Sequence, residues 1–284
     1  MPRKKLQLKQ AVDQGADKLS GISTQPRRDA ELLLLNVIKR DRAFLLTHPG
    51  TQLTPEQAMQ YAEWLQRRTA HEPIQYILGE QEFFGLTFAV TPDVLIPRPE
   101  TEHLVEGLLA RVPHDQPLQI VDVGTGSGAI AVALAHSLQL AQLTALDISD
   151  SALAVAQRNA KTHQVAGRMR FLKSDLLDAV AGEHFDAVVS NPPYVAEADR
   201  ESLEPQVRDY EPAVALFGGA TGFDVYERLI PQARKSLKPG GWLLMEMGLG
   251  QKKSLVGLLS DWDEVSFVDD LQRIPRVACA RRKA

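Results

Sequence analysis

From residue 117 onward, short apolar runs alternate with segments of helical length, and no other feature constrains the fold more. The runs are LQIVDVG (118–124), AQLTALDIS (141–149), MRFLKSD (169–175), FDAVVSN (185–191) and GGWLLMEMG (240–248), separated by helical stretches near 127–139, 150–164 and 222–237. Parallel neighbours need a crossover between them, usually a helix, so the alternation predicts βαβ units and a doubly wound, mainly parallel α/β sheet. After a helix-like stretch at 250–260, VSFVDD and RVACARR are expected to pair as a closing antiparallel hairpin at the sheet edge.

The first 78 residues carry a different pattern. Leu32, Leu33, Leu34, Leu35 and Ile38 form an apolar face after Pro26, and LTPEQAMQYAEWLQRR brings its own helix start. Thr54 can cap, Pro55 suits the first helical position, and Gln57 completes a capping box. A small all-helical domain is therefore expected over 1–78. The β-rich pieces flanking Gly85 in EQEFFGLTFAV predict a hairpin, taken as a linker over 79–95, which leaves 96–284 for the α/β domain.

Several classes are set aside by composition. No apolar run approaches the roughly 18 residues of a membrane span. The opening MPRKKLQLKQ is basic, but Leu6 and Leu8 alternate with polar residues, so no export signal is expected. Cys279 is the only cysteine, which excludes an internal disulfide and fits a reducing, cytoplasmic setting. The 7 histidines show no paired ligand spacing, and no metal is expected. A net charge of −4 argues against bulk nucleic-acid binding, so no stable nucleic-acid partner is expected. The short basic clusters at 3–5, 27–28, 67–68 and 281–283 read as solvated faces.

Two motifs carry chemistry. In VDVGTGSGAIAVALA, the loop Gly124, Thr125, Gly126, Ser127 and Gly128 lies between a strand and a helix. Glycines there permit a tight turn and close approach of backbone to a ligand. Simple strand-to-helix packing explains a lone glycine-rich turn equally well, and a nicotinamide site prefers G-x-G-x-x-G where this chain has G-x-G-x-G. Asp147 ends the second run, where an acid can accept ribose hydroxyls; this supports a nucleoside cofactor without choosing one. Asp175 ends the third run and Asn191 the fourth. Alone, Asp175 reads as a cap or turn former. In a doubly wound sheet, however, all four strand ends share one rim, so the set converges on a site.

The second motif is VVSNPPY, where an apolar run meets Asn191, Pro192, Pro193 and Tyr194. Two prolines end a strand because neither can donate to the ladder. A rigid Pro-Pro turn with a packed tyrosine is the plainer reading of the tetrapeptide in isolation.

Together these residues resemble the class I S-adenosylmethionine-dependent methyltransferases, over roughly residues 115–284. That resemblance implies a seven-stranded sheet. It also implies a methionine-binding turn at Gly124–Gly128, ribose binding by Asp147, and adenine recognition by Asp175 with the Leu176 backbone, while Asn191 borders the cofactor. NPPY by itself resembles two groups, enzymes of exocyclic base amines and enzymes of protein glutamine, and so implies a planar, conjugated acceptor nitrogen, a poor nucleophile that no ordinary base can deprotonate. The resemblance further implies that the Asn191 side-chain carbonyl and the Pro192 backbone carbonyl accept its two N–H bonds, and that Tyr194 packs its ring on the flat group beside the cationic sulfonium. RRDAELLL (27–34), EPIQYILGEQEFFGL (72–86) and LIPRPETEHLVE (95–106) extend the resemblance along nearly the whole chain, to the HemK-type release-factor glutamine methyltransferases. A sister group acting on a ribosomal-protein glutamine tends toward VPRSP where this chain has IPRPETE. The resemblance implies a bacterial release factor as partner and the glutamine of its Gly-Gly-Gln loop as substrate. It places Arg98 to Glu102 beside the cofactor, although Pro97 and Pro99 also simply set up the next helix. A monomer without membrane contact is expected.

Overall fold

Pro26 and Pro55 each open a helix, as a residue with fixed φ and no N–H suits the first turn. In the computed structural model, which describes residues 6–284, the chain divides into two compact units. One runs up to Gly79 and includes Glu204–Tyr210; the other comprises Glu80–Leu203 and Glu211–Ala284. The basic cluster at 3–5 lies outside the described residues.

The first unit begins with five helices, α1 (Leu8–Leu19), α2 (Pro26–Ile38), α3 (Arg42–Thr47), α4 (Pro55–Thr69) and α5 (Ile74–Leu78). The capping box forms at α4: Gln57 N donates to Thr54 Oγ1 at 3.2 Å and Thr54 N to Gln57 Oε1 at 3.0 Å. Leu33 and Leu34 are fully buried, while Leu32, Leu35 and Ile38 are only partly so, because consecutive helical residues fan around the axis. Tyr61 of α4 donates to the Ala11 and Ala30 carbonyls, 3.2 Å each, and so ties α4 to α1 and α2. The pair at 67–68 is not a solvated face. Arg67 bonds Glu72 at 2.6 Å, and buried Arg68 bonds Asp29 at 2.8 Å.

The second unit opens with the hairpin β1 (Glu80–Phe83) and β2 (Leu86–Ala89). It belongs to this unit and does not form a separate linker over 79–95. Phe83 and Phe88 are buried in the same cluster as Leu104, Leu108 and Ala160, and Asn159 bonds both backbone groups of Ala89 (2.8 and 3.0 Å). There follow α6 (Glu102–Leu109), β3 (Gln119–Val123), α7 (Ala129–Ser137), β4 (Gln142–Asp147), α8 (Asp150–Thr162), β5 (Met169–Lys173) and β6 (Phe185–Ser190). The short α9 (Pro205–Arg208) falls in the first unit. Then come α10 (Ala213–Leu216), α11 (Asp224–Ser236), β7 (Leu237–Glu246), α12 (Lys252–Leu258), β8 (Asp263–Asp269) and β9 (Pro275–Arg281).

The seven strands run in the order β5-β4-β3-β6-β7-β9-β8, parallel from β5 through β7, with β9 antiparallel to both neighbours. The hairpin closes the edge with its later strand inside, so β8 is the exposed edge. Ile120 packs on one face of β3 while Val121 and Val123 pack on the other, all buried, as in a sheet covered on both sides. Strand β3 pairs in parallel with both β4 and β6, and the order of successive strands reverses there, β4 and β5 lying to one side and β6 and β7 to the other. Such a switch point opens a crevice at the carboxyl ends of the strands.

Candidate active site

Val123 and Ser190 are paired residues at the ends of β3 and β6, so Gly124 and Asn191 leave the sheet side by side. The Ser190 hydroxyl fastens the two ends by donating to the Val123 carbonyl at 2.7 Å. Gly124 N and Thr125 N both donate to the Leu146 carbonyl (2.9 and 2.8 Å), which folds the glycine loop over β4. Gly128 has φ 81° and caps α7; a Cβ there meets Ala156 Cβ at 3.0 Å, so it serves close packing of α7 on α8.

A cavity of about 280 Å³ occupies the crevice. Gly124, Thr125, Gly126, Ser127, Asp147, Asp175, Leu176, Asn191 and Pro193 line it. Three residues of the two motifs do not, and of Arg98 to Glu102 only Thr101 does. Gly128 is taken up by packing, Pro192 is buried, and Tyr194 packs in the core around β7 with its hydroxyl donating to Glu246 Oε1 at 3.3 Å. The ring of Tyr194 is therefore not a wall of the cavity, because the chain turns at the prolines and carries it behind the site. Its carbonyl lies so close to Gly222 that any Cβ there collides with it.

Asp147 is engaged on both oxygens, accepting Gly126 N at 2.8 Å and Ser149 N at 3.0 Å. Each carboxylate oxygen keeps a second lone pair for a hydroxyl. Burial pushes the pKa of Asp147 up, and the backbone N–H groups of Ser149, Gly126 and Ile148 oppose the rise. Asp175 lies two residues beyond β5 and pairs with Arg228 of α11 at 2.6 Å, both half-exposed. Among the charged residues lining the cavity, Asp93, Asp147 and Asp175 face a single guanidinium, Arg228. That balance suits a cationic ligand and opposes a pyrophosphate.

Sequence reasoning passed over two buried acids and most of the near wall. Asp122 of β3 is fully buried and accepts the Thr125 hydroxyl at 2.6 Å; its other oxygen has no hydrogen-bond partner. Burial pushes its pKa up to about 7, the Asp147 charge adding to the rise and the Thr125 hydroxyl opposing it. Glu246 at the end of β7 is likewise buried, with Oε2 unpartnered. Burial lifts it to about 7 against the Thr101 and Tyr194 hydroxyls. An acid inside an apolar run such as IVDV or LLMEM is costly to bury, and that was the available signal. The near wall comes from Asp93, Val94, Leu95, Pro97 and Thr101, with Val214 and Ala215 of α10 and Phe217 just after it. This wall is anchored by Glu211, whose buried carboxylate accepts Ile96 N at 3.2 Å and pairs with Arg98. Thr101 Oγ1 accepts Asn191 Nδ2 at 3.3 Å. Among the described residues, no group of three or more His, Cys, Asp or Glu is arranged to hold a metal. No helix among them is long and apolar enough to cross a membrane.

Two family models match the chain, the PrmC N-terminal domain over residues 10–79 and the methyltransferase small domain over 101–205. A release factor glutamine methyltransferase of Koribacter versatilis is 46% identical over 97% of this chain and 98% of its own length. One from Escherichia coli is 42% identical over 91% of this chain and 93% of its own. Among solved structures, a methyltransferase from Pyrococcus furiosus superposes with a TM-score of 0.53 at 19% identity, over 71% of this chain and 91% of that one. The Thermus thermophilus 16S rRNA N2 G1207 methyltransferase in complex with AdoMet and guanosine gives 0.53 at 20%, over 72% of this chain and 50% of that one. At such identities these two share the fold.

Proposed function

Because this chain belongs to the release factor glutamine methyltransferases, we propose that its crevice holds S-adenosyl-L-methionine against the glutamine of the Gly-Gly-Gln loop of a bacterial peptide-chain release factor. The products are N5-methylglutamine and S-adenosylhomocysteine. The observation that carries the reading is the juxtaposition of Gly124 and Asn191 at the switch point, on one acid-lined cavity.

S-adenosylmethionine supplies an electrophilic methyl group on a positively charged sulfur. The residues assigned to hold it are the turn Gly124 to Ser127, Asp147 toward the ribose, and Asp175 with Leu176 toward the base. Gly128 supports the turn from behind. The acid-rich lining fits the sulfonium, and the half-apolar near wall fits the adenosine. Asn191 borders both ligands.

On the acceptor side, Asn191 Oδ1 and the Pro192 carbonyl accept the two N–H bonds of the substrate amide. Thr101 already takes one hydrogen of Asn191 Nδ2, and this orientation leaves Oδ1 as the free acceptor. Holding both N–H bonds fixes the plane of the amide and turns its nitrogen toward the methyl donor, so positioning takes the place of a strong base. Pro193 shapes the cavity wall. The part of Tyr194 is to hold the motif from behind.

The helical unit is assigned to holding the release factor, acting with the methyltransferase unit as a monomer in the cytoplasm, with no stable nucleic-acid partner. Incubating the protein with a release factor and cofactor, followed by mass spectrometry of the loop peptide, tests the function. One added methyl group on the glutamine is expected, and none on a release factor whose loop glutamine is replaced. Transfer to RNA with no transfer to the release factor overturns the assignment.

A further inference from the structure

Pro192 and Pro193 leave the NPPY turn without a backbone N–H at two successive residues, so the chain there is held through its carbonyls and its flanks. One flank is fixed by Ser190, whose hydroxyl donates to the Val123 carbonyl at 2.7 Å. On the other, the Tyr194 carbonyl accepts the side-chain amide of Gln251, Nε2 to O, at 3.1 Å. The same peptide group is gripped from its opposite side, where Val195 N donates to the Leu216 carbonyl at 2.9 Å. Resting on the reading of Asn191 and the Pro192 carbonyl as acceptors of the substrate amide, we propose that Gln251 is a positioning residue for methyl transfer: its amide holds the Tyr194 carbonyl and so sets where the NPPY turn presents those two oxygens.

The Gln251 amide can point only one way. Gly248 N donates to Oε1 at 2.8 Å, and a backbone N–H has no acceptor to offer. Exchanging the two ends of the amide sets Nε2 against that N–H and Oε1 against the Tyr194 carbonyl, two repulsive pairs in place of two hydrogen bonds. The Tyr226 hydroxyl lies 3.3 Å from the same Oε1 and shares its hydrogen with the Glu246 carbonyl, nearer at 2.8 Å. Gln251 itself stands on fixed backbone at the head of α12. Its N–H donates to the Gly248 carbonyl at 3.3 Å, and its carbonyl accepts from Leu255 N at 3.1 Å, Leu255 being fully buried. A side chain in that place commonly serves the helix's own free N–H groups. This one makes no such cap and reaches across to the turn.

The packing around the turn is close on the same side. A Cβ on Gly222 collides with the Tyr194 carbonyl, one on Gly218 collides with the Pro193 carbonyl, and one on Gly248 meets Tyr194 Cδ2 at 3.0 Å. At the other end of the residue the Tyr194 hydroxyl donates to Glu246. Glycine contacts of this kind limit distance, whereas a hydrogen bond also limits direction, because it weakens steeply when bent. Direction matters two residues upstream, where a reacting nitrogen misplaced by about 1 Å can cost on the order of 100-fold in rate.

The test measures single-turnover methyl transfer at saturating cofactor and release factor, with cofactor Kd by calorimetry, for the parent, Gln251→Glu, Gln251→Met and Asn191→Ala. Gln251→Glu keeps the shape and the acceptor for Gly248 N but turns an oxygen toward the Tyr194 carbonyl, whereas Gln251→Met keeps the bulk and removes both bonds. The rate is expected to fall about tenfold or more for Gln251→Glu and about threefold for Gln251→Met, with cofactor Kd within about twofold for both. A larger loss in the variant closer in shape separates a directed hydrogen bond from filled space. The proposal is overturned by the parent's rate in either variant, by a rate in Gln251→Glu equal to or above that in Gln251→Met, or by loss of cofactor binding along with the rate. Asn191→Ala separates the two levels. If it loses turnover while the Gln251 variants keep the parent's rate, only the positioning role fails; if Asn191→Ala retains full turnover, the reading of the turn fails and the positioning role with it.

Discussion

Asp122 and Glu246 each place a carboxyl in an otherwise apolar strand, on β3 and on β7, and each leaves one oxygen without a hydrogen-bond partner. Their partners differ. Asp122 takes the Thr125 hydroxyl at 2.6 Å, inside the glycine turn, with a second acid, Asp147, close enough to raise its pKa. Glu246 takes the Tyr194 hydroxyl at 3.3 Å, with Glu100 opposing the charge and Arg276 favouring it. One acid therefore braces the turn assigned to the cofactor, and the other braces the motif assigned to the amide. Buried, costly groups stand behind both halves of the crevice, where rigidity matters for near-attack geometry. Substitutions on the two sides should accordingly divide between affinity and turnover.

The sharpest break is expected at Asn191. Asn191→Ala removes the amide acceptor yet leaves the glycine turn and Asp147 in place. We expect kcat to fall roughly 100-fold, the scale of losing one preorganised transition-state hydrogen bond, with cofactor Kd changed less than about threefold. Single-turnover kinetics with a release factor, alongside calorimetry, separates the two quantities. Weakened cofactor binding with unchanged chemistry at saturation would place Asn191 on the other side of the comparison.

Asp147→Ala should do the converse. It removes the acceptor of Gly126 N (2.8 Å) and Ser149 N (3.0 Å), so the turn loses one of its ties to β4, keeping those to the Leu146 carbonyl, and the ribose loses its acid. Cofactor Kd is expected to rise about tenfold or more, equivalent to at least one hydrogen bond to a charged group. Turnover at saturating cofactor should stay within a few-fold of the parent. Equal losses in both quantities would mean that the two halves are not separable.

The βαβ alternation, the closing hairpin and the capping box at Thr54 were legible in the sequence because each is a local pattern of period, turn residue or cap. The strand-end set was legible for the same reason, since the end of an apolar run marks the rim of a parallel sheet wherever the strand finally sits. Tyr194 shows the limit. Its spacing from Asn191 is plain, but the direction of its ring depends on the turn at Pro192 and Pro193 and on Gly222, which lets the backbone pass close. The near wall depends on a long-range tie, Glu211 to Ile96 N and Arg98, across more than a hundred residues of sequence. The hairpin at 80–89 looked like a connector because its two phenylalanines have no visible partner until Leu104 and Ala160 pack on them.

The smallest effect separates the two acids by stability. Their folded pKa values of about 7 lie above the ordinary 3.8 for Asp and 4.5 for Glu, so between those limits the native state holds more protons than the unfolded chain. Stability from these groups therefore rises as pH falls through about 7 and levels off below their ordinary values, and above 7 each charged form is a cost to the fold. Asp122→Asn and Glu246→Gln remove that cost while keeping shape. Both variants should melt a few degrees above the parent at about pH 8.5, with the gap closing near pH 5. The gain should be larger for Asp122→Asn, since Asp147 repels the charge at that site with no cation opposing it, whereas at Glu246 the attraction of Arg276 partly offsets the repulsion of Glu100. Calorimetric melting at the two pH values checks the order. A larger gain for Glu246→Gln would mean that local charge does not set the difference, and that the unpartnered Oε2 costs more than the neighbouring acid at Asp122.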